Sequence, residues 1–371
     1  MTQTLTLDPR EMAADVAAPV RREKVADDKA LLRTAAELSR DLHAPKPWLY
    51  WLDTAASAAV GYAALAGAIL APVTWVAVLC GVVAVFALYR AGSFIHEVSH
   101  IKHAAVPGYR MGWNLMVGVP LLIPSFMYEG VHNLHHAKTR YGTADDPEYL
   151  PLALMKPWSV PMFTLAAALG PIALLFRYAV LSPLGLLVPK LRAAIVARFS
   201  ALAINPAFRR RAADGEQRRL WIQLEVLTSF WAITLIALVV TGVVPLRAFA
   251  IFIGVLSATM VINQIRTLVA HLWENEGEAM SVTAQYLDSV NVPPPALLPM
   301  LWAPVGLRYH ALHHLLPGLP YHALGEAHRR LSAALEQHSP YHKASYDGLP
   351  GLLHRLVRST VTVGKRTIPL S

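Results

Sequence analysis

The sequence predicts an all-α integral membrane protein, and three observations lead to this prediction. The 371-residue chain is 55% hydrophobic and only 15% charged. Residues 54–89 contain no Asp, Glu, Lys or Arg, and a second long apolar stretch runs from about Val226 to Ile265. At about 1.5 Å per residue and about 20 residues per crossing, each stretch can form two spans. We therefore expect two transmembrane helical hairpins, about four spans, with a cytoplasmic helical cap that holds the histidine boxes described below.

Each predicted hairpin contains a turn signal. Ala71-Pro72 divides the first stretch, and Gly242-Val-Val-Pro245 divides the second, because Gly and Pro interrupt helices. Trp48, Tyr50 and Trp51 precede the first span, as an interfacial aromatic belt would. A buried soluble core rarely provides uncharged runs of this length, so the membrane interpretation is favoured.

Two further apolar stretches affect the number of crossings. Residues 111–128 and 157–176 are uncharged, and each contains at least two prolines. Proline breaks regular helices, and broken backbone at membrane depth is typical of re-entrant or interfacial segments. We therefore expect neither stretch to cross the bilayer, so that the chain returns to one side after each hairpin.

Charge predicts the orientation. Eight Lys and Arg residues lie between Lys190 and Arg219, directly before the second hairpin. This is the positive-inside pattern, which places the basic segment, both termini and the histidine boxes in the cytoplasm. It also accounts for the net charge of +9 without a nucleic-acid partner. The single cysteine, Cys80, lies in a predicted span, and the polar N-terminal segment has no signal-peptide pattern.

These patterns divide the chain into three parts. Residues 1–46 form a polar cytoplasmic N-terminal segment, residues 47–335 form the membrane domain, and residues 336–371 form a cytoplasmic C-terminal tail. Residues 323–337 read as an amphipathic helix on the cytoplasmic side.

Ten of the 16 histidines fall in or beside short clusters. Residues three and four apart share one face of a helix, so each cluster presents several imidazoles in one direction. The clusters read His96-Glu-Val-Ser-His100-Ile-Lys-His103, His132-Asn-Leu-His135-His136 and His310-Ala-Leu-His313-His314, and His271 stands alone in Thr267-Leu-Val-Ala-His271.

The clusters indicate a metal centre. Neutral imidazole binds Zn, Cu, Fe and Ni. One zinc-type site uses about four ligands, so the number of histidines points to two metal ions. A single histidine would more often be a surface or core residue, but repeated H-x-x-H-H boxes are hard to explain in that way. His103 remains open, since a solvated histidine beside Lys102 fits the sequence equally well.

Two other classes of protein remain open at this point. His96-Glu97-Val-Ser-His100 matches H-E-x-x-H, the zinc metalloprotease pattern in which Glu97 would be the general base. A protease needs one further ligand and not two more boxes, so a membrane metalloprotease is a distant alternative. A non-catalytic metal-binding scaffold has no specific support beyond the histidines.

The three boxes together, placed around two hairpins, resemble the integral-membrane fatty acid desaturase and hydroxylase superfamily. Arg266-Thr-Leu-Val-Ala-His271 is similar to the extra ligand that follows the last span in that family. Gly306-Leu-Arg-Tyr-His310-Ala-Leu-His-His-Leu-Leu-Pro-Gly-Leu-Pro-Tyr-His322 is similar to its final box and proline-bearing tail. The similarity covers about residues 48–331.

The resemblance implies a non-haem di-iron enzyme that uses O2. It implies no catalytic side chain beyond the metal centre, and its iron ligands carry over to His96, His100, His132, His135, His136, His271, His310, His313 and His314. Some relatives have a water-binding asparagine where this chain has Thr267, and His103 is a candidate to compensate. Carboxylates that orient the ligands are expected next to them, with Asp145 and Asp146 the leading candidates among a set that includes Glu97, Glu129 and Glu148.

The resemblance also implies the reaction. We expect a double bond to be introduced into a long fatty acyl chain of a lipid or acyl thioester, with acyl-chain or lipid hydroxylation as the alternative. No haem-binding domain signature is present, so the electrons are expected from a separate ferredoxin-like or cytochrome b5-like donor.

Overall fold

The computed structural model describes residues 25–366, with side chains to residue 362. The first 24 residues of the predicted N-terminal segment and the last five of the predicted tail lie outside the described residues. The α-helices are α1 Lys29–Leu38, α2 Pro47–Leu70, α3 Thr74–His100, α4 Tyr109–Trp113, α5 His132–His135, α6 Ser159–Phe176, α7 Ser182–Leu187, α8 Pro189–Arg198, α9 Gly215–Val240, α10 Leu246–Leu268, α11 Val282–Asp288, α12 Pro299–Trp302, α13 His310–Leu315, α14 Leu324–Ala334 and α15 Leu349–Arg366.

The all-α prediction is confirmed. Within the described residues the only β-type pairings are isolated bridges. Five helical segments are long and apolar enough to cross a membrane: α2, α3, α6 with α7, α9 and α10. Both predicted hairpins are present, and their turns fall at Ala71 and at residues 241–245.

Helices α2 and α3 form a closely packed antiparallel pair because small residues line their contact. A Cβ atom added at Gly61 would lie 2.5 Å from the Leu88 side chain, and one at Gly67 would lie 2.8 Å from Cys80 Sγ. Arg90 and Asp53 join the two helices through a forked ion pair with an N–O distance of 2.5 Å. This pair supports the last turns of α3, which carry the first histidine box.

The two additional apolar stretches behave differently from each other. Residues 111–128 break into α4, a π turn at Asn114–Gly118 and a short 3₁₀ turn, none of which could span a membrane. Residues 157–176 form α6, which continues through a π turn into α7 as the helical segment Ser159–Leu187. The structure therefore contains five candidate spans where the sequence predicted four.

Both ends of α6 pack close to the histidine boxes. At its start, Val160 and Phe163 pack in a cluster with Trp273, two residues beyond His271. At its end, Leu175 packs in a cluster with Phe126 and Trp221. Residues beyond α8 also return to this level, since Leu202 N donates to the Met127 carbonyl over 2.9 Å. Both ends of α6 and the chain after α8 therefore contact residues that lie close in sequence to histidine ligands.

The cap on the histidine side is built from short helices and loops. Helix α14 lies within the predicted amphipathic stretch and packs Leu331 in a cluster with Leu31 and Ala35 of α1. Much of the predicted tail is helical: α15 buries Leu352 and Leu356 against the loops that follow α10 and precede α6. The cap therefore closes over the ends of α3 and α10, where the histidines lie.

Candidate metal centre

Four parts of the chain bring the predicted histidines together. The last turn of α3 carries His96 and His100, α5 carries the second box, α13 carries the third, and His271 follows the end of α10. The short helix α13 is held by its surroundings, since Leu312 N donates to the Asn291 side chain and Ala311 N to the Val290 carbonyl.

The histidines form two groups. The five-histidine group contains His96, His100, His132, His136 and His313. The four-histidine group contains His135, His271, His310 and His314. Within each group the ligand nitrogens lie within 4.8 Å of one another, so each group could hold a metal ion.

The H-x-x-H-H spacing explains this division. In each of the two boxes the first and last histidines are four residues apart and share a helix face, while the middle one points to the neighbouring group. His132 and His136 thus join the five-histidine group and His135 the other. His310 and His314 join the four-histidine group, and His313 crosses to the first. Each of these two H-x-x-H-H boxes therefore contributes ligands to both groups and links the groups to each other.

The nitrogen geometry fits metal ions. His313 Nε2 lies 3.0 Å from His100 Nε2, and His310 Nε2 lies 3.0 Å from His271 Nε2. Two nitrogens at this separation can both reach one ion at about 2.1 Å. His96 is buried, and neither of its ring nitrogens has a hydrogen-bond partner among the described residues. Buried polar atoms are normally satisfied, so such an atom at the centre of a histidine group is suited to a bound cation.

Metal ligands must be neutral imidazoles, and burial favours the neutral form of most of these side chains. Burial holds the pKa well below its ordinary value at His132, His136, His271, His310, His313 and His314. His135 differs: burial alone would lower its pKa, but Asp146 raises it above the ordinary value.

Carboxylates contact the outward nitrogens of the second box. Asp146 is fully buried and lies 3.0 Å from His135 Nδ1, and Glu148 lies 3.0 Å from His132 Nδ1. Burial raises the pKa of Glu148 to about 7. A carboxylate on the far nitrogen fixes the ring orientation and makes the metal-facing nitrogen a stronger donor. These two acids are therefore placed to orient one ligand of each group.

His271 has a different set of partners, which the sequence did not indicate. Its Nδ1 lies 2.8 Å from the Tyr141 hydroxyl and 3.1 Å from the Ser289 hydroxyl. Tyr141 in turn donates to Asp288 over 2.8 Å, and burial raises the pKa of Asp288 to about 6. Asp288 and Ser289 come close to His271 through an isolated β-bridge between His271 and Ser289. The sequence pattern around His271 therefore does not predict these partners.

Three predicted residues lie away from the groups. His103 is largely exposed and contacts Arg110 at 2.9 Å, because α3 ends at His100 and the chain turns before His103. Thr267 donates to the Asn263 carbonyl of its own helix over 2.9 Å. Asp145 is exposed, in contrast to its neighbour Asp146. The structure therefore gives neither His103 nor Thr267 a contact with a metal group.

The other two glutamates that the sequence analysis named as ligand-orienting candidates form hydrogen bonds with different partners. Glu97 accepts hydrogen bonds from the Tyr50 hydroxyl at 2.7 Å and from Tyr321 N at 3.1 Å, and its other oxygen is 3.6 Å from His96 Nδ1. Glu129 binds Ser125 and Arg110. Glu97 thus has structural partners, and its two flanking histidines both belong to a five-histidine site, which does not support the protease alternative.

The structure combines apolar helices that are long enough to span a bilayer with two all-histidine groups that could each hold a metal ion. These features define the class of protein as an integral membrane protein with a candidate paired metal centre. Residues 71–346 match the family model described as "Fatty acid desaturase". The chain is also 48% identical over 339 residues to a ceramide hydroxylase of Caulobacter vibrioides (strain NA1000 / CB15N), covering 90% of this chain and 95% of the relative. The chain belongs to the fatty acid desaturase family, an oxidoreductase family, which confirms the resemblance.

The relative corrects the predicted reaction. The expectation of double-bond insertion is wrong, because a relative of 48% identity over most of the chain is a hydroxylase, and this favours the hydroxylase alternative. Box spacing could not separate the two reactions. Both begin by removing hydrogen from an unactivated carbon and require the same metal ligands.

Proposed function

We propose that this protein is an oxygen-dependent di-iron hydroxylase that acts on ceramide. The observation that carries the proposal is the pair of histidine groups in a chain that is 48% identical to a ceramide hydroxylase over 339 residues. In this proposal each group holds one iron ion, and the nine histidines of the two groups are the ligands. Bound iron supplies the oxidising power toward O2 that an unactivated C–H bond requires.

The reaction balances with a separate electron donor. One C–H bond and one O2 molecule, with two electrons and two protons, give one C–OH group and one water. We propose that a ferredoxin-like or cytochrome b5-like protein supplies the two electrons.

The protein side chains hold, orient and shield the reacting parts. Asp146 and Glu148 fix the rings of His135 and His132, and Tyr141 and Ser289 fix His271. All nine histidines except His100 and His136 are buried, so the surrounding chain excludes water from most of the centre. Exclusion of water protects the reactive step from side reactions.

The mass of the product tests the reaction. We expect expression in a host that makes ceramide but lacks lipid hydroxylases to add one oxygen atom to ceramide, as measured by mass spectrometry under full aeration with a reduced electron donor. The host with an empty vector is the control. A loss of two hydrogens without added oxygen, or no change in any ceramide while iron is fully bound, would contradict the proposal.

We also propose that four helices cross the membrane and that α6 with α7 does not. His135 and His271 belong to the same histidine group, so the chain between them must cross the bilayer an even number of times. Three candidate spans lie in this interval: the α6–α7 segment, α9 and α10. Because both ends of α6 pack near the histidine layer, we assign the crossings to α9 and α10. The basic segment before α9 supports a cytoplasmic location for this layer.

Single cysteines test this topology. In a Cys80→Ser background, we expect Thr139→Cys and Arg211→Cys to resist a membrane-impermeant reagent in intact cells, while Gly242→Cys reacts. Thr139, Arg211 and Gly242 are all exposed, so burial in the protein does not explain resistance. Reaction of only one of the cysteines at 139 and 211 would mean that α6–α7 crosses the bilayer.

A further inference from the structure

A proline-rich loop that precedes the third histidine box is apolar and exposed. Residues 292–307 contain no Asp, Glu, Lys or Arg, and five of these 16 residues are proline. Four large apolar side chains of the loop are exposed: Leu297 at 76%, Leu298 at 71%, Met300 at 64% and Leu301 at 49%. Single exposed apolar residues are common, but a contiguous apolar patch marks an interaction surface.

The loop leaves the cap and returns to it at a closed neck. Val292 N donates to the Arg308 carbonyl over 2.8 Å, and Arg308 Nε donates to the Val292 carbonyl over 2.7 Å. A terminal guanidinium nitrogen of Arg308 donates to the Ala296 carbonyl over 2.8 Å. Helix α13, which carries the third box, begins two residues after Arg308. The loop is therefore a fixed projection of the chain that carries this box.

The loop projects onto the candidate spans. The Tyr89 hydroxyl of α3 donates to the Trp302 carbonyl over 2.8 Å, and α12 packs against both α3 and α10. Val305 is buried in the core cluster to which α2, α3 and α10 contribute. Tyr89 is the last residue of the uncharged stretch 54–89, and Arg90 follows it. The loop thus meets α3 at the level where the apolar part of this span ends.

The backbone of the loop suits apolar surroundings. Its five prolines have no N–H group that would need a partner. Met300 N, Leu301 N and Ala303 N donate to carbonyls of the same loop over 3.0, 2.9 and 2.9 Å. Unsatisfied backbone groups are costly in hydrocarbon, so this arrangement lowers the cost of leaving water.

We propose that residues 292–307 insert their exposed apolar side chains into the edge of the membrane hydrocarbon, and so hold the third histidine box at the membrane surface. The patch is continuous with the candidate spans α3 and α10, which supports lipid as its partner. The guanidinium of Arg308, at the neck, is already bonded to two carbonyls of the loop, and residues 292–307 offer no charge to a protein partner. Shallow insertion of an apolar face is typical of interfacial membrane segments.

Fluorescence quenching tests the insertion in the resting protein. Full-length iron-loaded Leu298→Cys protein, in a Cys80→Ser background, is labelled with bimane and placed in phosphatidylcholine vesicles. We expect quenching by brominated phospholipid but not by aqueous iodide. Phe230→Cys, 70% exposed in the middle of α9, is the hydrocarbon control, and Gln337→Cys, exposed on the cap, is the aqueous control.

The size of the quenching decides the outcome. Brominated lipid should quench the label at 298 at least about half as strongly as the label at 230, and iodide should quench it at least about fivefold less than the label at 337. Quenching by iodide as strong as at 337 would overturn the proposal. Absence of quenching by either agent would also overturn it, in favour of a face that another copy of the chain covers.

The position of the bromine atoms tests the depth. Bromine near the headgroup should quench the label at 298 more than bromine near the chain end does, because the loop meets α3 only at the end of its apolar stretch. The opposite order at 298 would contradict insertion at the edge. A label at Met300→Cys should give the same pattern as the one at 298, since both side chains are exposed.

Iron content and melting temperature exclude a structural artefact. Leu298→Cys should keep both at the wild-type level, because the side chain it replaces is 71% exposed. Loss of both would show that Leu298 packs inside the protein, which contradicts the proposal. The measurement needs no turnover, so insertion in a protein that forms no hydroxylated ceramide would contradict only the proposed function.

Discussion

Replacing His313 with alanine is expected to abolish lipid hydroxylation and to remove about half of the bound iron. His313 Nε2 lies 3.0 Å from His100 Nε2 and 3.1 Å from His136 Nε2, so it occupies the centre of the five-histidine group. Its removal opens one metal site and leaves the ligands of the other unchanged. Elemental analysis and product mass spectrometry measure the two effects on the same purified protein.

Two variants control this result. His314→Ala should remove the other half of the iron, because His314 belongs to the four-histidine group. His103→Ala should keep both the iron and the activity, since His103 is exposed and pairs with Arg110. Equal iron loss in the His103 and His313 variants, or one zinc and no iron in the wild type, would refute the two-group assignment.

Spacing alone identified the histidine boxes, because residues three and four apart lie on neighbouring faces of a helix. The full set of nine ligands, with the isolated His271, was implied by the family resemblance. The same rule left the role of His103 open, because His103 is seven residues from His96. It would share the ligand face only if α3 continued, but Ile101 adopts an extended conformation and ends the helix.

Features that depend on distant contacts could not be predicted in this way. Tyr141, Asp288 and Ser289 surround His271 only after the chain has folded. Hydropathy likewise reports that α6 is apolar and long enough to span, but not whether its far end crosses the bilayer or returns to the histidine layer. Its packing partners, Trp273 at one end and Phe126 near the other, are the observations on which the proposed return to the histidine layer is based.

Neighbouring aspartates offer the sharpest test of how the protein orients its ligands. Asp146 is fully buried, accepts hydrogen bonds from Gly142 N at 2.9 Å and Glu148 N at 2.8 Å, and contacts His135 Nδ1. Asp145 is exposed and makes no such contact in the described structure. The sequence alone ranked the two residues equally, so only burial distinguishes them.

Asp146→Asn is therefore expected to lower hydroxylation or iron affinity about tenfold to a hundredfold, the usual cost of removing a group that orients a metal ligand. The amide keeps the size of the side chain but loses the negative charge that strengthens His135 as a donor. Asp145→Asn should change either quantity less than about twofold, because an exposed charge is screened by water. Iron titration measures the iron affinity of both variants, and initial rates measure their hydroxylation activity. Equal losses in the Asp146→Asn and Asp145→Asn variants would mean that Asp146 does not act through His135.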